Sequence, residues 1–552
     1  MPTIRINRKV FEHYVGKKLP INKLKDRISY LGTNLEDVTD NEIVVEVFPN
    51  RPDMLSVQGF ARAFSSFIGA KTGLKHYKVE HSHEKVIIDK SVKDVRPYTA
   101  CAIVRNMHFD DEKIKEVIDI QEKLHITYGR NRKKVAIGIY PYEKIKTPIT
   151  FKAENPEAIV FQPLEFAREI NALQILKQHP AGKEYGHLLE GKKKFPVFRD
   201  ANNEVLSVPP IINSHKTGKI SEKTTDVFIE CSGFDFEVLK KCLNMIVAAL
   251  YEMGGKVHSM DLIDGNKKYA TPDLSPEEIK VDISFINKWL GLNLNESEIK
   301  NLFERMGYGY SSKKALIPAY RADIIHQVDL AEDIAIAYGY ENFKETIPHV
   351  ATIAEEDKFE IFKRKVSDLL VGLGLLEAST YNLTNHENQC KKMNADMQLI
   401  GLANSISSDY NKLRAWVMPS LVEILSNNKH HEYPQKVFAI GRIFKKNEKF
   451  DTNIEENERL AAAIASEKTD YTEIRQALDY LLRSIGVKYD VKETEHSSFI
   501  GGRVARVSTN GKNIAYIGEI HPQVLLNWNL EVPVAAFELN LTELFEIINE
   551  NV

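Results

Sequence analysis

Cysteine is scarce in this sequence: Cys101, Cys231, Cys242 and Cys390 stand far apart in 552 residues. None belongs to a C-x-x-C pair or has a histidine at ligand spacing. That argues against a zinc module or a disulfide framework and points to a reducing compartment, the cytoplasm. Long apolar runs are absent too. No stretch approaches the roughly 18 apolar residues of a membrane-spanning helix. Residues 1–10 are charged where a secretory signal is apolar. Neither sign of charge dominates: the formal net charge is −3 and the pI about 6.7, which neither demands nor excludes a nucleic-acid partner. No nucleophile elbow, H-E-x-x-H motif or kinase set occurs. Gly307-Tyr308-Gly309 lacks the third glycine and the lysine of a phosphate loop and reads as a turn.

What is present is an ordinary globular composition, 43% apolar and 27% charged, in a chain longer than one core supports, so several domains are expected. Residues 1–85 mix short strands and helices. A strand over 43–48 meets a turn at Asn50-Arg51-Pro52-Asp53. Ser56 then caps a helix whose apolar face is Phe60, Phe64, Phe67 and Ile68, closed by Gly69. The charged stretch 76–85 reads as a linker. Residues 86–270 form the longest unit, with strands at 85–88, 99–104, 135–139 and 158–161. Its closing helix carries Leu239, Leu243, Ile246 and Leu250 before Gly254-Gly255. Residues 271–345 read as a small module with helices at 282–291, 296–306 and 327–337 and a strand at 315–319. Residues 350–552 are the final large domain. It opens on a helix with Phe362, Val366, Leu369 and Leu373 on one face, followed by strands at 378–382, 437–440, 504–508, 514–517 and 535–539. The whole is α+β and multidomain.

Three constellations carry possible chemistry. In YRADIIHQVDLAEDIAIAYGY, a helix starting near Gln327 puts Asp329 one turn from Glu332 and Asp333, with Asp323 just upstream. Convergent carboxylates suit magnesium. Acids in a first helical turn are also favoured by the helix dipole, so spacing alone leaves both readings open. Arg130, Arg132, Lys133 and Lys134, with Lys192-Lys193-Lys194, lie near Tyr128 and His125. They suit a phosphate backbone or serve as solubilising turns. Finally, VLSVPPIINS and DVFIECSG set Ser207, Asn213, Ser214, Glu230 and Ser232 among apolar strands. That arrangement fits a small-ligand pocket or ordinary strand ends.

Five stretches, in order, resemble the β subunit of phenylalanyl-tRNA synthetase in its archaeal and eukaryotic form. They are FPNRPDMLSVQGFARAFSSFIG, LHITYGRNRKKVAIGIY, the acidic stretch ending YGYENF, LANSISSDYNKLRAWVMPSLVEILSNN with VFAIGRIF, and GEIHPQVLLNW. The resemblance implies an N-terminal module, a B3/B4-type editing domain over 86–270, a B5-like domain over 271–345 and a class II synthetase-like core over 350–552 that no longer activates amino acid. It implies magnesium on Asp323, Asp329, Glu332 and Asp333, and an editing pocket at Phe198, Ser207, Glu230 and Ser232. Phe198, Glu230 and Ser232 depart from the family's usual residues there, as does Asp333. It also implies an α subunit holding ATP and phenylalanine, an α2β2 heterotetramer, tRNA(Phe) as partner, and hydrolysis of tyrosine misattached to that tRNA. Gly441-Arg442 and Gly501-Gly502-Arg503 lack the context of class II activation motifs. The competing readings are a synthetase-derived nucleic-acid-binding paralogue without ligase activity and a free-standing editing hydrolase.

Overall fold

The computed structural model describes residues 2–348 and 354–550, and the chain divides into two compact units, Met1–Ile347 and Pro348–Val552. The expected boundary at residue 350 falls outside the described residues.

In the first unit, strands Thr3–Asn7 and Asn34–Val38 flank Glu42–Glu46 in an antiparallel sheet. The expected helix runs over Val57–Phe67. The Ser56 hydroxyl accepts from the Gly59 N–H at its start, and Phe60, Phe64 and Phe67 are buried.

The centre of this unit is a ten-stranded mixed sheet. Nine strands follow one another in the order Ile212–Asn213, Val205–Val208, Phe195–Arg199, Ile149–Glu154, Val79–Ile88, Lys256–Asp264, Tyr98–Arg105, Val227–Gly233 and Val135–Pro141. The tenth, Lys267–Thr271, pairs beside Lys256–Asp264. Residues 79–85 are therefore ladder rather than linker: they run parallel to Lys256–Asp264, and residues 86–88 pair in parallel with Ile149–Glu154 as well. Polar and histidine side chains on their open face disguise them. The expected strand at 158–161 shrinks to Val160–Phe161 and pairs with Ile170–Asn171 outside this sheet.

Period-two alternation divides the sheet into two faces. Ala100, Ala102, Val104, Val227, Ile229 and Cys231 pack in the same core as helix Phe236–Glu252, through Leu239, Leu243, Ile246 and Leu250. Asp235 caps that helix by accepting from Glu237 and Val238. Cys101, Ile103, Tyr140, Phe151, Phe198, Leu206 and Phe228 form a second core. The two edge strands come within side-chain reach. Tyr140 on one lies 3.3 Å from Asn213 on the other, so the sheet curls until its free edges are joined by side chains rather than by a ladder.

The small module adds a sheet ordered Glu277–Lys280, Lys314–Ile317, Gly309–Ser311, with helices Ile283–Leu290, Glu296–Arg305 and Gln327–Tyr338. Its core is continuous with that of the N-terminal module and helix Phe236–Glu252.

The second unit holds a seven-stranded sheet in the order Leu376–Glu377, Gln435–Lys446, Ile454–Ala465, Val534–Asn540, Lys512–Ile520, Phe499–Thr509 and Asp490–Glu493. It is antiparallel except for the first pair. Phe438, Leu460 and Phe537 face helix Tyr471–Ser484. Val437, Ala439 and Ala461 face helix Met418–Asn427. The expected strand over 378–382 is not formed. The ladder ends at Ala378, whose N–H reaches Phe438 O, because Thr380 Oγ1 and Tyr381 O accept instead from the Arg414 guanidinium.

Candidate functional site

A cavity of about 130 Å³ opens at the seam between the two edges of the curled sheet. Its walls include Ser207, Asn213, Glu230, His125, Arg132 and the Pro209-Pro210 turn. Drug-sized ligands occupy roughly 300–1,000 Å³, so this one suits a single side-chain-sized group. Strand pairing explains the assembly: Ser207 is registered with Asn213 and with Phe198, and Glu230 with Gly138.

Glu230 is fully buried in the middle of its strand. Its Oε1 accepts from the Tyr140 phenol at 3.1 Å, and its Oε2 has no hydrogen-bond partner. Burial pushes its carboxyl pKa up to about 8, against smaller opposing effects of Tyr140, Arg96 and Ser232. At pH 7 it is therefore mainly a neutral acid, able to donate as well as accept. The Ser207 hydroxyl is also buried without a well-aligned partner, although it stands near enough to the Tyr140 phenol to favour that group's ionised form.

Arg96 lies beside Glu230 yet does not bind it. Its Nε donates to Ser232 Oγ at 3.1 Å and another nitrogen donates to Ser232 O at 2.6 Å. Burial lowers its pKa to about 10, which leaves it cationic at neutral pH. Arg132 donates to the carbonyls of Pro210 and Ile211 and to Glu122 Oε1. The Ile137 N–H donates to His125 Nε2 at 2.8 Å, so the ring proton sits on Nδ1, which faces Glu122 Oε1 at 3.2 Å. Burial holds this histidine below its ordinary pKa. It therefore acts as a fixed neutral brace.

Of the four expected pocket residues, Ser207 and Glu230 meet at the cavity. Phe198 instead stacks on Phe151, ring centroids 4.3 Å apart, and Ser232 is held by Arg96. Residues 130–134, read either as a phosphate-binding cluster or as a solubilising turn, divide between two environments. Arg130, Asn131 and Arg132 follow one another at φ 48°, 52° and 64°, and this left-handed loop turns Arg132 into the cavity wall while Arg130, Lys133 and Lys134 stay exposed. Sequence reasoning misses Tyr140, Arg96 and the bracing role of His125. The available signal is a tyrosine two residues after a glycine in an otherwise aliphatic strand.

The acidic quartet is not assembled as a magnesium set. Arg321 forms ion pairs with both Asp323 and Asp333, at 2.7 and 2.8 Å, and the Tyr308 phenol also donates to Asp333. Asp329 Oδ2 accepts the N–H groups of Ile325 and His326 as a helix cap. Glu332 is exposed, its pKa raised by partial desolvation and then by Asp333, Asp329 and Asp323. No group of three or more His, Cys, Asp or Glu placed to hold a metal exists among the described residues. These carboxylates share one electrostatic neighbourhood, but its cation is a guanidinium, and the arrangement does not fit a resident ion.

In the second unit Gly441-Arg442 is structural. A Cβ at Gly441 would stand 2.1 Å from the buried Arg414 guanidinium, while Arg442 pairs on the surface with Glu456 and Glu458. Arg503 likewise pairs with Glu519. No described helix is long and apolar enough to cross a membrane.

Comparison with known proteins places these features in a family. Residues 92–245 match the B3/4 domain, 279–340 the tRNA synthetase B5 domain, and 343–541 the phenylalanyl tRNA synthetase beta chain CLM domain. The phenylalanine–tRNA ligase beta subunit of Pyrococcus abyssi is 42% identical over 99% of this chain and 100% of its own length. That of Archaeoglobus fulgidus is 36% identical over 99% of both. The crystal structure of an N-terminal fragment of the Pyrococcus horikoshii phenylalanyl-tRNA synthetase beta subunit superposes with a TM-score of 0.59 at 38% identity. It covers 61% of this chain and 99% of the fragment. With its editing-type sheet, its B5 module and its class II-like second unit accounted for along nearly the whole length, the chain belongs to the phenylalanine–tRNA ligase β-subunit family.

Proposed function

We propose that this chain works in the cytoplasm as the non-activating partner of an α subunit in an α2β2 assembly, and that its seam cavity edits the product. The α subunit binds ATP and phenylalanine and charges tRNA(Phe). This chain hydrolyses the ester when tyrosine has been attached instead. A hydrophobic synthetic pocket rejects an added hydroxyl poorly, so a second site has to read that hydroxyl. The observation that carries this reading is the unpaired Oε2 of Glu230, with the unpaired Ser207 hydroxyl, in a cavity sized for one side chain. Buried polar atoms without partners are costly in a finished protein and cease to be so when a ligand supplies the missing bond.

In this proposal a tyrosyl phenol meets Glu230 Oε2, while water attacks the ester carbonyl and the tRNA hydroxyl departs with a proton. Magnesium enters with ATP on the α subunit, as phosphates require. On this chain Arg321 stands as the cation of Asp323 and Asp333. The division of labour follows the segments 1–85, 86–270, 271–345 and 350–552, with strand Val79–Ile88 moved into the editing sheet.

The test is deacylation of Tyr-tRNA(Phe) by the purified α–β complex. Wild type should release tyrosine, and Glu230→Ala should slow release at least tenfold while leaving phenylalanine-dependent ATP–pyrophosphate exchange unchanged. Exchange activity from this chain alone, or full deacylation by Glu230→Ala, would sink the proposal.

A further inference from the structure

Tyr140 closes the stretch LHITYGRNRKKVAIGIY with no chemistry assigned to it, yet the fold clears a place for it. Its ring is fully buried and stacks on Phe228, centroids 5.7 Å apart. In the ladder Tyr140 faces Phe228 and Gly138 faces Glu230, which makes the phenol and the carboxyl diagonal neighbours on one face. The side chain directly opposite ordinarily fills the space between such neighbours. Here that residue is glycine. A Cβ on Gly138 would stand 2.1 Å from Tyr140 Oη and 2.6 Å from Glu230 Oε1. The phenol reaches through this gap to Oε1. It also approaches Asn213 Oδ1 at 3.3 Å, so one side chain ties the carboxyl to both edges of the seam.

We infer that Tyr140, seated by the gap at Gly138, is the positioning residue of this site: it holds Glu230 by Oε1, so that Oε2 is the atom presented to a ligand hydroxyl. The inference rests on the editing reading above. The terminal torsion of a glutamate is broad and roughly two-fold, so an untethered carboxyl would offer either oxygen over a range of directions. A tethered one offers a single acceptor or donor in one place, and discrimination between ligands that differ by one hydroxyl depends on such placement. Arg96 does not take this place, because its hydrogen bonds run to Ser232 and to Arg132 O and none reaches Glu230.

The experiment compares wild type, Tyr140→Phe and Glu230→Gln in the α–β complex, using Tyr-tRNA(Phe) and Phe-tRNA(Phe) across a pH series. Tyr140→Phe deletes one oxygen and keeps the ring, and thermal melting checks that the variant folds. Loss of one positioning hydrogen bond should raise KM for Tyr-tRNA(Phe) about tenfold with kcat nearly unchanged. Phe-tRNA(Phe) hydrolysis should stay the same. A phenol that donates favours the carboxylate, so the pH midpoint of tyrosine release should also move upward. If wild type releases no tyrosine, the editing reading falls. If wild type edits and Glu230→Gln weakens discrimination, but Tyr140→Phe changes neither KM nor the pH midpoint, this inference alone is overturned. Equal losses on both tRNAs with a fixed midpoint would mark Tyr140 as structural and overturn it equally.

Discussion

Glu230 and Asp333 are both buried carboxyls, both accept from a tyrosine, and both lie near an arginine, yet the protein treats them in opposite ways. Arg321 pairs with Asp333 and with Asp323, and no carboxylate in that cluster is left uncompensated in the interior. Arg96 stands beside Glu230 but gives its hydrogen bonds to Ser232 and to backbone, so one oxygen of Glu230 is left over. A buried acid paired with its own cation holds the fold together. A buried acid with one atom to spare has been kept available for something that arrives later.

The comparison breaks most visibly at Arg321. Arg321→Ala leaves Asp323 and Asp333 facing each other without a cation and should cost about 3–5 kcal/mol, read by urea unfolding of the full chain. Adding magnesium or a chelator should not move wild-type stability. Recovery of the variant by magnesium would instead mean that the arginine masks a metal site.

Glu230 sharpens the other side. Its pKa is about 8 in the folded chain, against 4.5 for an ordinary glutamate, so the folded chain holds its proton more tightly between those values. Stability from this group is full below the lower value and is lost as pH rises through the upper one, a change on the order of 4 kcal/mol. Glu230→Gln should flatten the stability profile between pH 5 and pH 9 by a comparable amount, measured by denaturant titration at each of about five pH values. A profile parallel to wild type would refute the neutral-acid assignment.

Phe198→Leu should cost about 1–2 kcal/mol through lost stacking on Phe151 and leave the preference for tyrosine over phenylalanine intact, because Phe198 belongs to the core. A change of preference without loss of stability would return it to the pocket. The smallest effect is expected at Ser207. Its hydroxyl has no aligned partner, so Ser207→Ala should change stability by less than about 1 kcal/mol, while tyrosine release falls if that hydroxyl meets the ligand.

Much of this can be read in the amino-acid order, for identifiable reasons. Helix Val57–Phe67 announces itself by a serine cap and phenylalanines at helical spacing. Helix Phe236–Glu252 does so by leucines and isoleucine on one stripe. Strand Ile454–Ala465 escapes notice because its first half is charged and its second half is alanine, which carries little strand signal. Val79–Ile88 hides behind polar residues on an open face. At the site, Ser207 and Glu230 stand out as polar groups among apolar neighbours. Tyr140 does not, since its importance comes from a diagonal across two strands and from an absent side chain at Gly138. The acidic quartet misleads because spacing along a helix records which carboxylates are close, and is silent on whether an arginine from a preceding turn already lies between them.

The seam has a consequence for folding order. One wall of the cavity comes from each free edge of the sheet, Ala136 and Ile137 from one and Asn213 from the other, so the cavity has no existence in a partly paired chain. Contacts between segments so distant in sequence form after local ones, since closing the longer loop costs more entropy. On the editing reading proposed above, Tyr-tRNA hydrolysis is a late reporter of maturation: a chain that has collapsed around its helices but has not joined its edges lacks the cavity.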